Sequence, residues 1–212
     1  MVRIPVSLKK CPLSETVFEI RFIPSVPSEM VISEVYLLGK DILGNYQDLP
    51  IMEIPAEIRK QDPNLKYVPC HEFVGGESSF PVRVGPRNIS FHVFANYPGW
   101  KVWSGFIHSV MNKLTGPSFL GTVERTGLRY INFFEGISED ILDQINVDLS
   151  VRDQKVSGKN LQLRLEETND EDKNFLTVTQ IFTHRVQKYY HFRRQNRIAA
   201  RFNDRHRLHS KH

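Results

Sequence analysis

A succession of segments in this chain alternates apolar and polar residues with a period of two, and several are joined by turns too short for anything but antiparallel neighbours. Three lie close together over 67–74, 79–84 and 88–95, with Gly75-Gly76 and Gly85-Pro86 between them. In the third, Ile89, Phe91 and Val93 alternate with Ser90 and His92. An earlier segment, Thr16–Ile23, sets Phe18, Ile20 and Phe22 on one face and Glu19 and Arg21 on the other. Later segments over 146–152, 161–168 and 174–183 read as strands with one face wet, the last two joined by the turn TNDEDKN.

Two helical stripes interrupt the strands. Met30, Val31, Val35, Leu38 and Ile42 recur at helical spacing over 28–43, with Ser28 as a candidate N-cap and Gly44-Asn45 as the stop. Between them and the meander, Pro50 and Pro55 mark an edge strand or a loop over 46–66. The second stripe belongs to the stretch Tyr97–Asn132, around which the chain is organised. Tyr97-Pro98-Gly99 is a turn, and a helix over 100–114 gathers Val102, Trp103, Phe106, Ile107, Val110 and Leu114. Thr115-Gly116-Pro117 ends it, with Gly116 suited to a left-handed cap. A long strand over 119–134 follows, with Arg125, Gly127, Arg129, Ile131 and Phe133 on one face and Leu128, Tyr130 and Phe134 on the other. A short helix is expected over 138–144, with Glu139 and Asp140 near its positive end.

Runs of strands with few helices define an α+β fold, a mainly antiparallel sheet of about seven to eight strands with two principal helices packed on it. Residues 1–183 read as one domain, with a possible pseudo-repeat of 16–95 and 97–183. No apolar run approaches the roughly 20 residues needed to span a bilayer, and the N-terminus lacks the apolar core of a signal peptide. Cys11 and Cys70 are too few for a disulfide framework and have no metal-ligand spacing. A cytoplasmic protein with reduced thiols, no cofactor and no metal is the expectation.

Charge is distributed unevenly. Residues 184–212 hold nine Lys/Arg, one acidic residue and five His, a net +8. The preceding 183 residues hold 19 Lys/Arg and 23 Asp/Glu, a net −4. The tail interleaves Arg193, Arg194, Arg197, Arg201 and Arg205 with Tyr189, Tyr190 and Phe192. Arginines neutralise phosphates and aromatics stack on unpaired bases, so this segment is a candidate nucleic-acid arm. An ordinary solvated tail and the product of a shifted reading frame are the other readings of the same composition.

The body offers two further candidates. Arg125 and Arg129 share a strand face with stems about 13 Å apart, and two guanidiniums there suit an anionic ligand. Their alternative use is pairing with Glu19, Glu124 or other carboxylates across the sheet. Tyr97 and Trp100 stand by a helix start, where free amides favour anions, and Tyr130 and Asn132 extend the set. Core packing is the other use of these aromatics. His71, His92 and His108 have no metal-ligand spacing and read as surface or satisfied histidines. VGGES lacks the Lys-Ser/Thr and following helix of a phosphate loop, and VGPRN reads as a hairpin turn.

The segments PLSETVFEIRF, VGPRNISF, YPGWKVW and VERTGLRYIN occur in that order. Together they resemble a sporadically distributed family of uncharacterised bacterial and archaeal proteins, over roughly residues 11–183. RTGLRYIN is the most specific part and YPGW the next. The resemblance implies a prokaryotic origin and no particular activity. Members of that family continue past the last strand into further mixed sequence and a C-terminal helix, a pattern this chain leaves after about Thr183. Three functions are therefore in play. The first is a non-catalytic binding module on the face bearing Arg125 and Arg129, for another protein as partner. The second is nucleic-acid binding through the tail. The third is an enzyme on an anionic small molecule, with Arg125, Arg129 and Tyr130 in its site.

Overall fold

The alternation in LSETVFEIRFI becomes the first strand, β1 (Leu13–Ile23), and its apolar face becomes the floor of the core. The chain is described here from a computed structural model, which covers residues 11–75, 80–94, 96–116, 118–134, 142, 147–156, 161–168 and 175–182. It divides into two units, Met1–Phe134 and Glu135–His212.

In the first unit β1 is followed by α1 (Val31–Leu43), β2 (Gly44–Asp48), the short helix α2 (Ala56–Gln61), β3 (His71–Gly75), β4 (Val82–Gly85), β5 (Asn88–Phe94), α3 (Trp100–Thr115) and β6 (Thr122–Asn132). The six strands form one sheet in the order β2-β3-β4-β5-β1-β6, and every neighbouring pair is antiparallel. The short connections expected from Gly85-Pro86 and Gly75-Gly76 thus link neighbours. The edge strand expected near Pro50 is β2, which ends before that proline.

One row across the sheet shows how the core is built. Tyr46, Phe73, Val82, Phe91, Phe18 and Leu128 stand in register from β2 to β6. Over this face lie α1, through Val31, Val35 and Leu43, and α3, through Trp103, Ile107, Val110 and Leu114. Phe91 meets Phe106 of α3 edge-on at 6.1 Å. Removing these side chains from water is the main term holding the layer together, at about 25 cal/mol per Å² of apolar surface.

Three local expectations are corrected. Ser28 does not cap α1: residues 28–30 form a 3-10 turn, Met30 occupies the N-cap, and neither element has a side-chain cap bond. Pro27 closes the turn instead, its carbonyl accepting from the Met30 amide at 2.8 Å. Val102 lies outside the buried stripe of α3 and is exposed, since the core side is defined by the spacing of Trp103, Ile107, Val110 and Leu114. Gly116 has φ −59, so α3 ends without a left-handed glycine. The glycine with positive φ is at the other end: Gly99 is the N-cap at φ 90 and ψ 156, a region open essentially to glycine alone that costs other residues about 1–3 kcal/mol.

The second unit contains β7 (Ser150–Val151), β8 (Gln154–Lys155), β9 (Gln162–Thr168) and β10 (Leu176–Phe182). These pair as two antiparallel hairpins, β7 with β8 and β9 with β10. The expected sheet of seven to eight strands therefore takes the form of six strands and two hairpins. The β9–β10 register, with Leu176 opposite Thr168 and Phe182 opposite Gln162, agrees with the TNDEDKN connection, which itself lies mostly outside the described residues. The half-burial expected for these strands is observed only in part: Leu161, Leu163 and Ile181 are half-buried, whereas Leu165, Leu176, Val178 and Phe182 are exposed. Of the helix expected over 138–144, only Leu142 is described; it is helical and buried.

Candidate functional site: the polar face of the six-stranded sheet

The face of the sheet opposite the helices carries charge. The alternation that sends Phe18, Ile20 and Phe22 into the core sends Val17, Glu19 and Arg21 the other way. Register then assembles rows. Gln47, Glu72, Arg83, Ser90, Glu19 and Gly127 form one. Asn88, Arg21 and Arg125 form the next, and His92, Val17 and Arg129 a third. Directly opposed side chains on such a face start about 5 Å apart, so Arg21 and Arg125 are immediate neighbours.

The carboxylates of this face are already engaged. Glu19 takes Arg21 at 2.5 Å, and Glu72 takes Arg83 at 2.6 Å. The Arg21 guanidinium also lies 4.6 Å from the centre of the Tyr67 ring. Glu124 accepts from the Tyr67 hydroxyl at 2.8 Å and sits 3.8 Å from Lys66. A bulge makes this possible. The register shifts between Arg21 and Phe22, so that Glu124 and Arg125 together oppose Arg21.

Glu15 faces His92, whose Nδ1 lies 3.4 Å from Glu15 Oε1 and whose Nε2 lies 3.0 Å from Ser90 Oγ. A carboxylate only accepts, so the ring donates from Nδ1 to Glu15. The His92 bond holds the Glu15 carboxyl below the usual carboxylate range against the opposing effect of burial, and Arg129 nearby adds to the lowering.

Arg125 and Arg129 are left over. Both are exposed, and neither makes a hydrogen bond or ion pair among the described residues. The carboxylates that sequence reasoning offered them, Glu19 and Glu124, have gone to Arg21, Lys66 and Tyr67. The Nη2 of Arg125 lies 3.9 Å from where a Cβ on Gly127 would be, so the guanidinium leans along the strand over the glycine.

The remaining candidates divide between places. Tyr130 is on the helix side of β6, paired with Thr16, and its ring meets Tyr97 at 6.1 Å. Tyr97 meets Trp103 at 6.1 Å, and Trp103 meets Trp100 at 5.8 Å. Tyr97, Trp100 and Tyr130 are thus one aromatic cluster, extended by Trp103, on the face opposite Arg125 and Arg129. Burial pushes the Tyr97 phenol well above its usual range, and its hydroxyl approaches Tyr130 without reaching hydrogen-bond geometry. Asn132 is exposed near the end of β6. The tail candidates Tyr189, Tyr190, Phe192, Arg193, Arg194, Arg197, Arg201 and Arg205 lie outside the described residues.

Sequence reasoning placed Arg21 with Glu19 on the polar face and missed Arg83, Glu15 and Tyr67. The alternation of β1 carried the signal for Glu15. Nothing local indicates that Tyr67 reaches β6. Of the three histidines considered above, His71 is satisfied by Asp48 at 2.9 Å, His92 is buried and bonded, and His108 is exposed. Among the described residues no group of three His, Cys, Asp or Glu side chains comes together to hold a metal ion, and no helix is long and apolar enough to cross a membrane. No family model, curated protein or solved structure matches the chain.

The state of Glu15 sets a pH dependence. Its pKa is lowered in the folded chain, so ionised Glu15 stabilises the fold above its unfolded value of about 4.3. That stabilisation is lost as pH falls through the lower folded value. Urea unfolding of the wild type and of Glu15→Gln should differ at pH 7, and the gap should close on acidification toward pH about 3. A gap of constant size across that range would remove the Glu15–His92 contact from the stability of the sheet.

Proposed function

We propose that this protein is a non-catalytic binding module whose polar sheet face engages an anionic protein partner. The observation that carries this reading is that Arg125 and Arg129 alone among the arginines of that face have no ion pair among the described residues, while its carboxylates are engaged. Guanidiniums without an ion pair offer forked donors to carboxylates. The separation of this pair from Tyr130, Tyr97 and Trp100 favours binding over catalysis, because an enzyme site combining them would need one face. RTGLRYIN, the most specific segment of the family resemblance, contains both arginines. A cytoplasmic setting suits the free thiols of Cys11, which is exposed, and Cys70, which is buried.

The test is binding of the full chain to polyglutamate, measured beside Arg125→Ala/Arg129→Ala. Two exposed charge contacts are each worth up to about 1 kcal/mol, so the double variant should bind about threefold to thirtyfold more weakly. Equal binding by the two proteins would remove this face from the function.

The basic tail supports a second reading, nucleic-acid binding. Replacing Arg193, Arg194, Arg197, Arg201 and Arg205 by Gln should then abolish binding to a single-stranded oligonucleotide and flatten its salt dependence. Unchanged affinity in that variant would eliminate the tail as an arm.

A further inference from the structure

We infer that the partner binds as an added strand along β6, an extended acidic segment forming the seventh strand of the sheet. The inference rests on the binding reading above and adds the mode and the chemistry of the partner. Three observations carry it. Among the described residues the sheet ends on one side at β2, only 5 residues long, and on the other at β6, which is 11 residues long. A long edge strand presents a row of backbone donors and acceptors that templates another strand. Leu128 and Tyr130 are 46% and 42% exposed on one face of β6, although the same face of the neighbouring strands is roofed by helices. On the other face stand Arg125 and Arg129, neither in an ion pair among the described residues.

The charge pattern selects the occupant. A second copy of β6 pairing about a twofold at Gly127 would set Arg125 opposite Arg129 of the copy, twice. Sliding the register one pair in either direction leaves the two arginines diagonal neighbours. Like charges at such positions destabilise a strand pair. The edge therefore disfavours itself and favours the opposite charge. An antiparallel partner would place two carboxylates at the same spacing as Arg129 and Arg125, on one face. Between and before them, apolar residues would face Leu128 and Tyr130 on the other. The main-chain ladder would supply affinity, and the alternating side chains would supply specificity.

The experiment titrates the full chain with a short fluorescent peptide of that pattern, having two glutamates at the Arg125–Arg129 spacing and valines facing Leu128 and Tyr130. A second peptide is identical except that the amides pointing at β6 are N-methylated, which removes ladder donors and keeps every charge. A third exchanges the glutamates for lysines. The first peptide is expected to bind, the N-methylated one at least about tenfold more weakly, and the lysine peptide only to Arg125→Glu/Arg129→Glu. Equal binding of the first two peptides would overturn the added strand and leave the charged face as a binding site. Binding of neither by wild type, with polyglutamate still bound in an Arg125/Arg129-dependent way, would do the same. Failure of polyglutamate as well would end both readings. Sedimentation of the free chain as a dimer that Leu128→Lys dissociates would assign the edge to a second copy and overturn the acidic partner.

Discussion

Replacing Trp103 by alanine is expected to cost the first unit about 3–5 kcal/mol, the range for truncating a fully buried large aromatic. Trp103 is completely buried and leads the fully buried side chains in size. It stands one turn into α3, where its amide bonds to the Gly99 carbonyl at 3.2 Å. Its ring lies edge-on to both Tyr97 and Trp100. Deleting the indole removes the contact of α3 with that cluster and leaves a cavity that the rigid sheet beneath cannot close. A loss of this size is a large part of the total stability of an ordinary domain, so the variant should unfold at markedly lower urea. Trp100→Ala is the control: at 50% exposure it should lose roughly 1 kcal/mol or less. Circular dichroism reads both. A Trp103→Ala cost below about 1 kcal/mol would mean that α3 does not depend on this anchor.

Gly121→Ala is the second large effect, and it acts through the backbone. Gly121 has φ 58, and an added Cβ would stand 2.2 Å from the carbonyl oxygen of Ile23 and 2.9 Å from the amide of Ser25. The left-handed conformation alone costs an alanine about 1–2 kcal/mol. The clash adds about 1–3 kcal/mol, typical of overpacking. Nor can the opposing chain move aside easily. Ser25 donates from its amide to the Phe119 carbonyl at 3.0 Å, and Ile23 is held in register opposite Thr122. A total of about 2–5 kcal/mol follows, with β6 displaced where it starts. Urea unfolding reads the total. If Gly121→Ala cost no more than about 2 kcal/mol, the steric argument would fail and only the dihedral penalty would remain.

These two sites also show how much could be read without coordinates. Trp103 was placed on the buried stripe because Ile107, Val110 and Leu114 repeat its position at helical spacing, a property of the helix itself. Gly121 carried no such signal. Its constraint comes from Ile23, nearly a hundred residues away in the chain, and only the pairing of β1 with β6 brings them together.

The same division runs through the candidate site. That Arg125 and Arg129 share a face, with Leu128 and Tyr130 on the reverse, follows from a period of two and needs no fold. The inward set Phe18, Ile20 and Phe22 follows in the same way. Glu19 and Glu124 were both eligible partners for the two arginines. Glu19 went to Arg21, two residues along its own strand, which is again a local effect. Long-range register decided the rest, and the bulge in the β1–β6 pairing turned Glu124 to Tyr67 and Lys66. Strand order then left β6 at the rim. Alternation and helical spacing are short-range because they arise from the geometry of successive residues. Edge position arises from which distant segments bury each other best, and the placing of Arg125 and Arg129 on the last strand of the described sheet exists only at that level.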